Sequence, residues 1–462
     1  MPTAAPSAYA SPAWDEAFDA GGELRPASGP ALAAVGAHDL RALRALVHEE
    51  TRAAGMSFNA DGGQREFVVD PVPRVIDADE WESLARGLEQ RVRALDRFVG
   101  DVHGPQRIIA DGVMPGRVLG GAEHYEPELA GLRPPGRRWI GVAGFDIVRD
   151  ADGGLAVLED NLRTPSGIAF ALATRAAMAA TLPEEVLAGI QPVDGALDLL
   201  RDTLLAAVPE AAPDPADPHV VLLTDGTGHW EHEWLARALG IPLVRPEDLQ
   251  PRGDRVLLRG TARPVEVVYR RTDQDRADSD VGKLLVPALR TGTLGVINPF
   301  GTGVADDKLT QAYVEDMVRF YLGEEPLLRS VPTYDLARAF DLREALDRFE
   351  ELVIKPRSGS GGRGVVINPH AKPEDVEAVR RAVVSDPGAW VAQPMICLST
   401  HPTVIDGRLQ PRHVDLRPFV LQTADGPRTA PAALTRVAFD PGALVVNTSQ
   451  NGGGKDTWVP AE

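Results

Sequence analysis

Cysteine is nearly absent from this chain, and acidic residues far outnumber basic ones. Cys397 is the single cysteine in 462 residues, which excludes an internal disulfide and a cysteine-rich metal site and favours a reducing, cytoplasmic setting. The net charge of −19 argues against nucleic acid and anionic membrane as partners, because both require a basic surface. No apolar run approaches the ~20 residues that cross a bilayer, so a soluble protein is expected.

The N-terminus lacks the features of a secretory signal. The segment "MPTAAPSAYASPAW" has no basic region and no apolar core, and residues 1–30 are rich in Ala, Pro, Ser and Gly. We therefore predict a disordered lead over 1–30. A Pro-, Asp- and Ala-rich stretch near 205–218 predicts a domain junction. Strands and a helix then alternate from His219, which predicts a small α/β lobe over 206–297 with a partly parallel sheet.

Hydrophobic periodicity predicts one long packing helix, from Ala78 to Val102. Its apolar residues recur at three- and four-residue steps, with Glu and Arg on the opposite side. The members of this apolar face are Trp81, Leu84, Leu88, Val92, Leu95 and Val99.

Polar residues end a short apolar strand in the segment "LAVLEDNLRTPSG". The sequence predicts a β-hairpin whose strands, 139–147 and 154–159, are joined by the turn "RDADGG". Asp146 lies near the end of the first strand, and Asn161 follows the second. Because strand side chains alternate, Glu159 and Asn161 share a face while Asp160 points away.

A glycine-rich stretch, "LVIKPRSGSGGRGVVI", lies between two β-branched runs. It predicts a hairpin whose backbone amides contact phosphates, with Lys355 on the preceding strand as a cation for the same phosphates. Gly359, Gly361 and Gly364 satisfy the G-x-G-x-x-G pattern of dinucleotide folds. That pattern opens a helix, however, and here "VVI" continues as a strand, so we reject a dinucleotide site.

Two other phosphate-binding patterns fit incompletely. In "NGGGKDT", Asp456 occupies the place of the Ser or Thr that a Walker motif requires. A protein kinase is a closer match, through G-x-G-x-x-G-x-V and the segment "HVDLRPFV". Lys355 precedes the loop, however, position 420 is Val rather than Asn, and the chain has no D-F-G. A kinase-like phosphotransferase remains an alternative.

Several blocks together resemble the circularly permuted ATP-grasp proteins related to glutathionylspermidine synthetase. The resemblance runs from about residue 40 to the end, and its blocks are "DPVPRVIDADEW", "QRVRALDRFVGDVHGPQRIIADGVMP", "LEDNLRTPSG", "VVYRRTDQD", "NPFGTGVADDK", "VIKPRSGSGGRGV", "RHVDLRPFV" and "NTSQNGGGKDTWV". It implies an α+β fold that holds ATP between two lobes. The order of the blocks implies permutation, because the acidic strand precedes the lysines.

The resemblance also implies which part of the fold each segment of the chain forms. It implies that 31–205 combines a helical region with the permuted metal-binding part of the ATP-grasp core. It implies that 206–297 is an additional small α/β lobe, like a pre-ATP-grasp lobe, and that 298–462 is the nucleotide-binding part of the core.

The implied activity is ATP- and Mg²⁺-dependent ligation of a carboxylate to an amine through an acyl phosphate, with release of ADP. The metal set carried over by resemblance is Asp146, Glu159 and Asn161, which suits the hard oxygen ligands that Mg²⁺ prefers. The ATP contacts are Lys308, Lys355, Ser358, Gly359, Ser360, Gly361, Gly362, Gln393 and Arg417. The expected catalytic residues are Arg417, Lys308, Lys355 and Arg163.

Within that set, Lys308 contacts the phosphates from the other side of the cleft, Gln393 lies in the hinge that meets adenine, and Arg417 stabilises the transferred phosphoryl group. The alternative for Arg417 is an ion pair with Asp415 or another carboxylate. Arg163 continues from the metal strand toward the cleft.

Some questions stay open at this level. The substrates are a small-molecule or peptide carboxylate and an amine of unknown identity, and a non-catalytic ATP-binding partner protein is a further alternative. Relatives that continue into a helical domain suggest a separate helical protein as a partner. The sequence leaves open the roles of Asn447, Ser449, Gln450, Lys455, Arg270 and Arg271.

Overall fold

The computed structural model describes the ranges 9–60, 63–226, 229–358, 364–443, 446 and 452–461. Helices and strands are mixed along these ranges without regular alternation, so the predicted α+β class is confirmed. In the same ranges, no helix combines the length and the apolar character needed to cross a bilayer.

The α-helices of the described ranges are given in chain order. They are α1 (Gly29–Gly36), α2 (Leu40–Ala53), α3 (Ala78–Val102), α4 (Arg107–Ala110), α5 (Arg117–Gly120), α6 (Ile168–Thr181), α7 (Glu184–Leu187), α8 (Gly195–Ala206), α9 (Trp230–Leu239), α10 (Asp280–Thr291), α11 (Lys308–Gln311), α12 (Val314–Met317), α13 (Ala339–Asp347) and α14 (Pro373–Ser385).

The strands of the same ranges follow. They are β1 (Ser57–Ala60), β2 (Gly63–Glu66), β3 (Val69–Val75), β4 (Val142–Arg149), β5 (Leu155–Asn161), β6 (Val220–Thr224), β7 (Leu243–Val244), β8 (Leu249–Arg252), β9 (Arg255–Leu258), β10 (Val267–Arg271), β11 (Gly295–Ile297), β12 (Tyr334–Asp335), β13 (Leu352–Pro356), β14 (Val366–Ile367), β15 (Trp390–Pro394), β16 (Thr400–Ile405), β17 (Arg408–Thr423), β18 (Gly426–Ala438) and β19 (Gly452–Trp458).

Helix α3 confirms the predicted packing helix. Asp77 caps its first turn, since the side chain accepts a hydrogen bond of 3.0 Å from the backbone N–H of Asp79. All six residues of the predicted apolar face are buried, and they join the largest hydrophobic core of the molecule. This core also takes in residues of the β4–β5 hairpin, so α3 supports the hairpin from beneath.

The central sheet combines strands from both parts of the chain. Its order is β3-β19-β18-β17-β4-β5, with β16 paired to β17. Strands β3 and β19 are parallel, and the other pairs are antiparallel. Segments 31–205 and 298–462 therefore share one sheet, and the β4–β5 hairpin lies at its edge.

Two four-stranded sheets accompany the central sheet, and the pairs β1-β2 and β8-β9 form two-stranded sheets. Strands β11-β10-β6-β7 form a parallel sheet within residues 220–297. Strands β12-β15-β13-β14 form an antiparallel sheet, which helices α13 and α14 cover through a small apolar core of their own. Lys355 lies on β13 and Gln393 lies on the neighbouring strand β15.

The expectation of a disordered lead over 1–30 is wrong for its described part, residues 9–30. Glu16 is buried, and its carboxylate accepts hydrogen bonds from Arg74 at 2.6 Å and from Arg149 at 3.1 Å. Composition misled the prediction because buried ion pairs hold this segment to the central sheet, in addition to the apolar contacts of Phe18. Residues 1–8 lie outside the described ranges.

Lys455 forms a fully buried ion pair, which places it in the core of the central sheet. Both its side chain and that of Asp70 have no exposed surface, and the two groups are in direct contact. The ammonium also donates to the carbonyl oxygens of Pro402, at 2.9 Å, and Val72, at 3.3 Å. Lys455 therefore joins β19 to β3 and β16.

We predict that Lys455→Met lowers the free energy of unfolding by about 3 to 5 kcal/mol, because Asp70 would stay buried without its counter-charge. The double variant Lys455→Met/Asp70→Asn removes both charges and is expected to recover part of that loss. Urea unfolding followed by circular dichroism measures both variants. Lys283→Met, at a lysine whose side chain is 69% exposed, is the control. Equal losses in the single and double variants would contradict this account.

Candidate functional site

The β4–β5 hairpin brings Asp146, Glu159 and Asn161 together. Asp146 lies directly opposite Glu159 in the antiparallel ladder, and Gly144 lies opposite Asn161. The Nδ2 atom of Asn161 is 3.5 Å from Oδ1 of Asp146. The second strand extends to Asn161, two residues beyond its predicted end, so the amide is held within the sheet rather than in the following loop.

Asp160 points away from this group, as strand alternation predicts. Its two carboxylate oxygens accept hydrogen bonds from Nε and Nη2 of Arg91, at 2.6 and 2.7 Å, and both side chains are buried. Arg91 belongs to α3, so this two-point contact fixes the hairpin on the helix beneath it.

Asp146 is held by two arginines. Arg417 donates to Oδ1 through Nε at 2.8 Å and Nη2 at 2.6 Å, and Arg436 donates to Oδ2 at 2.9 Å. Burial alone would raise the pKa of Asp146, but the two guanidinium groups lower it to about 2. Arg417 is thus paired with a carboxylate other than Asp415, which Arg436 contacts instead.

Two lysines approach the hairpin from the nucleotide-binding segment. Nζ of Lys308, at the start of α11, is 3.5 Å from Oε1 of Glu159. Nζ of Lys355 donates to Oε1 of Gln393 at 2.5 Å, and Gln393 donates in turn to Thr333 at 2.8 Å. The expected hinge residue therefore orients the expected phosphate-binding lysine.

Burial lowers the pKa of Lys355 to about 8. Glu159 and Asp146 raise it, whereas the nearby positive charge of Lys308 lowers it. These four side chains therefore act on one another electrostatically, although they come from β4, β5, α11 and β13.

The loop after β5 is held by carboxylates. Asp306 accepts hydrogen bonds from the backbone N–H of Leu162 at 2.7 Å and from Nε of Arg163 at 3.0 Å. Nη1 of Arg163 donates to Asp275 at 2.7 Å. Arg163 is thus close to the hairpin but engaged by two carboxylates, while its role in catalysis stays a prediction.

Arg270 and Arg271, whose roles the sequence left open, hold the same loop. Arg270 donates to the backbone oxygen of Arg163 at 3.4 Å, and Arg271 donates to that of Pro165. Arg271 also forms a buried ion pair of 2.6 Å with Glu231, whose carboxylate accepts from the backbone N–H of Gly167 at 2.7 Å. The small parallel sheet therefore determines the path of "RTPSG".

The glycine hairpin is described only at its base. Strands β13 and β14 pair antiparallel, and Ser358 is exposed at the start of the loop. Arg357 anchors this base, since its guanidinium contacts Asp307 at 3.2 Å and the carbonyl oxygen of Val118 at 2.7 Å. The residues predicted here or in the C-terminal loop that lie outside the described ranges are Gly359, Ser360, Gly361, Gly362, Asn447, Ser449 and Gln450.

Sequence reasoning assigned no role in the site to four charged residues of this region. Arg436 and Asp415 form a buried pair beside Asp146, Asp306 holds the loop after β5, and Arg357 anchors the glycine hairpin. Asp415, Asp306 and Arg357 lie within the recognised blocks "RHVDLRPFV", "NPFGTGVADDK" and "VIKPRSGSGGRGV", which offered a signal. Arg436 lies outside every block.

The side-chain oxygens of Asp146, Glu159 and Asn161 are of the chemical type that binds Mg²⁺. Within the described ranges, no group of three or more His, Cys, Asp or Glu side chains is arranged so that it could hold a metal ion. The candidate set instead offers two carboxylates and the amide oxygen of Asn161. The Asn161 amide nitrogen faces Asp146, at 3.5 Å from its Oδ1 atom. Such hard oxygen donors, completed by water or phosphate, are the usual Mg²⁺ environment.

Known relatives cover nearly the whole chain. An uncharacterized protein of Mycobacterium tuberculosis is 43% identical, over 97% of this chain and 84% of its own length. A protein of Synechocystis, also described as uncharacterized, is 41% identical over 96% of both chains. A Frankia casuarinae protein named putative glutamate–cysteine ligase is 42% identical over 98% of this chain, which spans 54% of that relative.

A solved structure shares the fold. The glutathione synthetase-like effector of Globodera pallida, in its apo form, matches 91% of this chain and 98% of its own with a TM-score of 0.57 and 12% identity. Residues 73–438, most of the chain, match the family described as circularly permuted ATP-grasp type 2. The order of the site elements, with the acidic hairpin ahead of both lysines, agrees with that match. The chain belongs to the circularly permuted ATP-grasp family.

Proposed function

We propose that this protein is an ATP- and Mg²⁺-dependent ligase that joins a carboxylate to an amine through an acyl phosphate and releases ADP. The observation that supports it most is the approach of Lys308 and Lys355 to the acidic hairpin, where Lys308 lies 3.5 Å from Glu159. Opposed clusters of acidic and basic groups suit a metal-bound polyphosphate, which presents positive charge to one side and negative charge to the other.

The names of relatives support the class but not the substrates. The ligase name of the Frankia protein describes a chain about twice as long as the matched part, so it does not say which half performs the ligation. The family and the site together favour the ATP-grasp reaction. The carboxylate and the amine are therefore proposed only as substrate classes.

Each side chain has a proposed task. Asp146, Glu159 and Asn161 hold Mg²⁺, which when bound neutralises phosphate charge. Lys308 and Lys355 bind the phosphates, Gln393 orients Lys355, and Ser358 with the glycine-rich residues that follow it is a proposed nucleotide contact. Arg417 stabilises the phosphoryl group in transfer, a task that suits a guanidinium with two parallel donors.

The reaction has two steps. A carboxylate oxygen of the substrate attacks the γ-phosphorus, and the bond from that phosphorus to the oxygen of ADP breaks. An amine then attacks the carbonyl carbon of the acyl phosphate, the carbon–oxygen bond to phosphate breaks, and a proton is released as the amide forms. The protein contributes mainly by positioning these groups and stabilising charge.

The first test is ADP release with pooled carboxylates and amines. Glu159→Gln is expected to lower the rate by about 100-fold or more, because it removes a charged ligand facing the phosphates. Hydroxylamine added without the amine traps an acyl phosphate as a hydroxamate. A phosphorylated product without hydroxamate would favour a phosphotransferase, and nucleotide binding without ADP release would favour a non-catalytic partner protein.

Asp160→Asn is the matched control, one residue away on the opposite face. It weakens the buried contact with Arg91, so we expect the free energy of unfolding to fall by about 3 kcal/mol. ADP release per folded molecule is expected to stay within about twofold of the wild type, since the strand face that carries Glu159 and the face that carries Asp160 act separately. A large loss of ADP release in this variant would contradict the proposed division of the two faces.

The second test is the pH dependence of MgATP binding. The pKa of Lys355 is about 8, and bound phosphates favour its protonated form. Affinity is therefore expected to be constant below pH 8 and to fall above it, by at most about tenfold per pH unit for one proton. Calorimetric titrations at several pH values measure this. Lys355→Arg stays charged throughout, so its affinity is expected to lose that dependence; an unchanged decline would exclude Lys355 as the cause.

A further inference from the structure

The two oxygens of the Asp146 carboxylate are held in different ways. Oδ2 contacts Arg436, at 2.9 Å. Oδ1 contacts Arg417 through two nitrogens, at 2.8 and 2.6 Å, and lies on the side of Asn161. The proposed ligand thus has a guanidinium group at each oxygen.

Arg436 is part of a rigid cross-strand pair. It lies directly opposite Asp415 in the β17–β18 ladder, and Nε and Nη2 contact the two oxygens of that carboxylate, the first at 2.8 Å. Both residues are buried. Since Arg436 satisfies Asp415 and Asp146 together, moving it would leave two buried carboxylates without a counter-charge.

Arg417 is less enclosed. Its side chain is 16% exposed, compared with 10% for Arg436. Beyond Asp146, its contact is a hydrogen bond of 3.5 Å to the backbone oxygen of the exposed residue Ser166. Releasing Arg417 from Asp146 would therefore leave the Arg436–Asp415 pair in place.

We infer that Arg436 and Asp415 are positioning residues that hold Asp146 by Oδ2, while Arg417 occupies Oδ1 and competes there with a divalent cation. This inference rests on the proposed function, in which Asp146 is a ligand of Mg²⁺. It assigns opposite effects to the two arginines: Arg417 opposes binding of the cation, and Arg436 supports it.

Cation binding at Oδ1 would displace Arg417 from that oxygen of Asp146. The guanidinium then becomes available to the phosphoryl group, so metal binding prepares the arginine for its proposed task.

Binding of Mn²⁺ alone, measured from the paramagnetic resonance signal of the free ion, tests this without nucleotide or turnover. Arg417→Gln removes the competing charge and is expected to tighten Mn²⁺ binding by on the order of tenfold. Arg436→Lys keeps the charge but cannot contact both carboxylates as the planar guanidinium does, so binding is expected to weaken by on the order of tenfold. Arg417→Lys, which keeps the competing charge, is expected to tighten binding much less than Arg417→Gln.

The outcomes separate this inference from the proposed function. If the Glu159→Gln variant binds Mn²⁺ as tightly as the wild type does, the proposed metal site is wrong. If Glu159→Gln weakens binding but Arg417→Gln does not tighten it, or Arg436→Lys does not weaken it, the metal site stands and the assignment of the two arginines is overturned. If Arg436→Lys does not fold, Asp415→Asn decides: weaker binding supports the inference, and unchanged binding overturns it.

Discussion

The carboxylate of Asp146 lies between two guanidinium groups, and the arrangement of the candidate site depends on this pairing. Arg417 lies 271 residues after Asp146 in the chain, and Arg436 lies further still, on the next strand. A buried carboxylate without a counter-charge is strongly destabilising, so β4 is best placed beside β17 in the register that brings both arginines to it. The same contact that stabilises the sheet thereby orients a proposed metal ligand.

Other buried ion pairs extend this principle through the fold. Asp160 and Arg91 join the hairpin to α3, and Lys455 and Asp70 join β19 to β3. Glu16 brings the N-terminal segment onto Arg74 and Arg149. Each pair connects parts of the chain that are distant in sequence, so the central sheet unites its early and late strands through charge as well as through apolar contacts.

Short sequence patterns predicted the features that depend on residues close together in the chain. The apolar face of α3 follows from its three- and four-residue spacing, and the opposite directions of Asp160 and Asn161 follow from the alternation of a strand. The glycine hairpin was recognised at its base for a similar reason, since β-branched runs flank it. The prediction from composition was wrong for residues 9–30. The burial of this segment depends on Arg74 and Arg149, which are distant in sequence and leave no sign in the composition of the segment itself.

The sequence by itself determined the α+β class, the hairpin with its shared face, the permuted order of the acidic strand and lysines, and the family resemblance. Only the tertiary structure decided the partners of the charged residues: Arg417 with Asp146, Arg436 with both Asp415 and Asp146, and Lys455 with Asp70. The physical reason is that backbone periodicity acts over a few residues, whereas the partner of a buried charge is set by strand register across the whole sheet. Lys455 illustrates this, since the sequence left its role open and the structure buries it in the core.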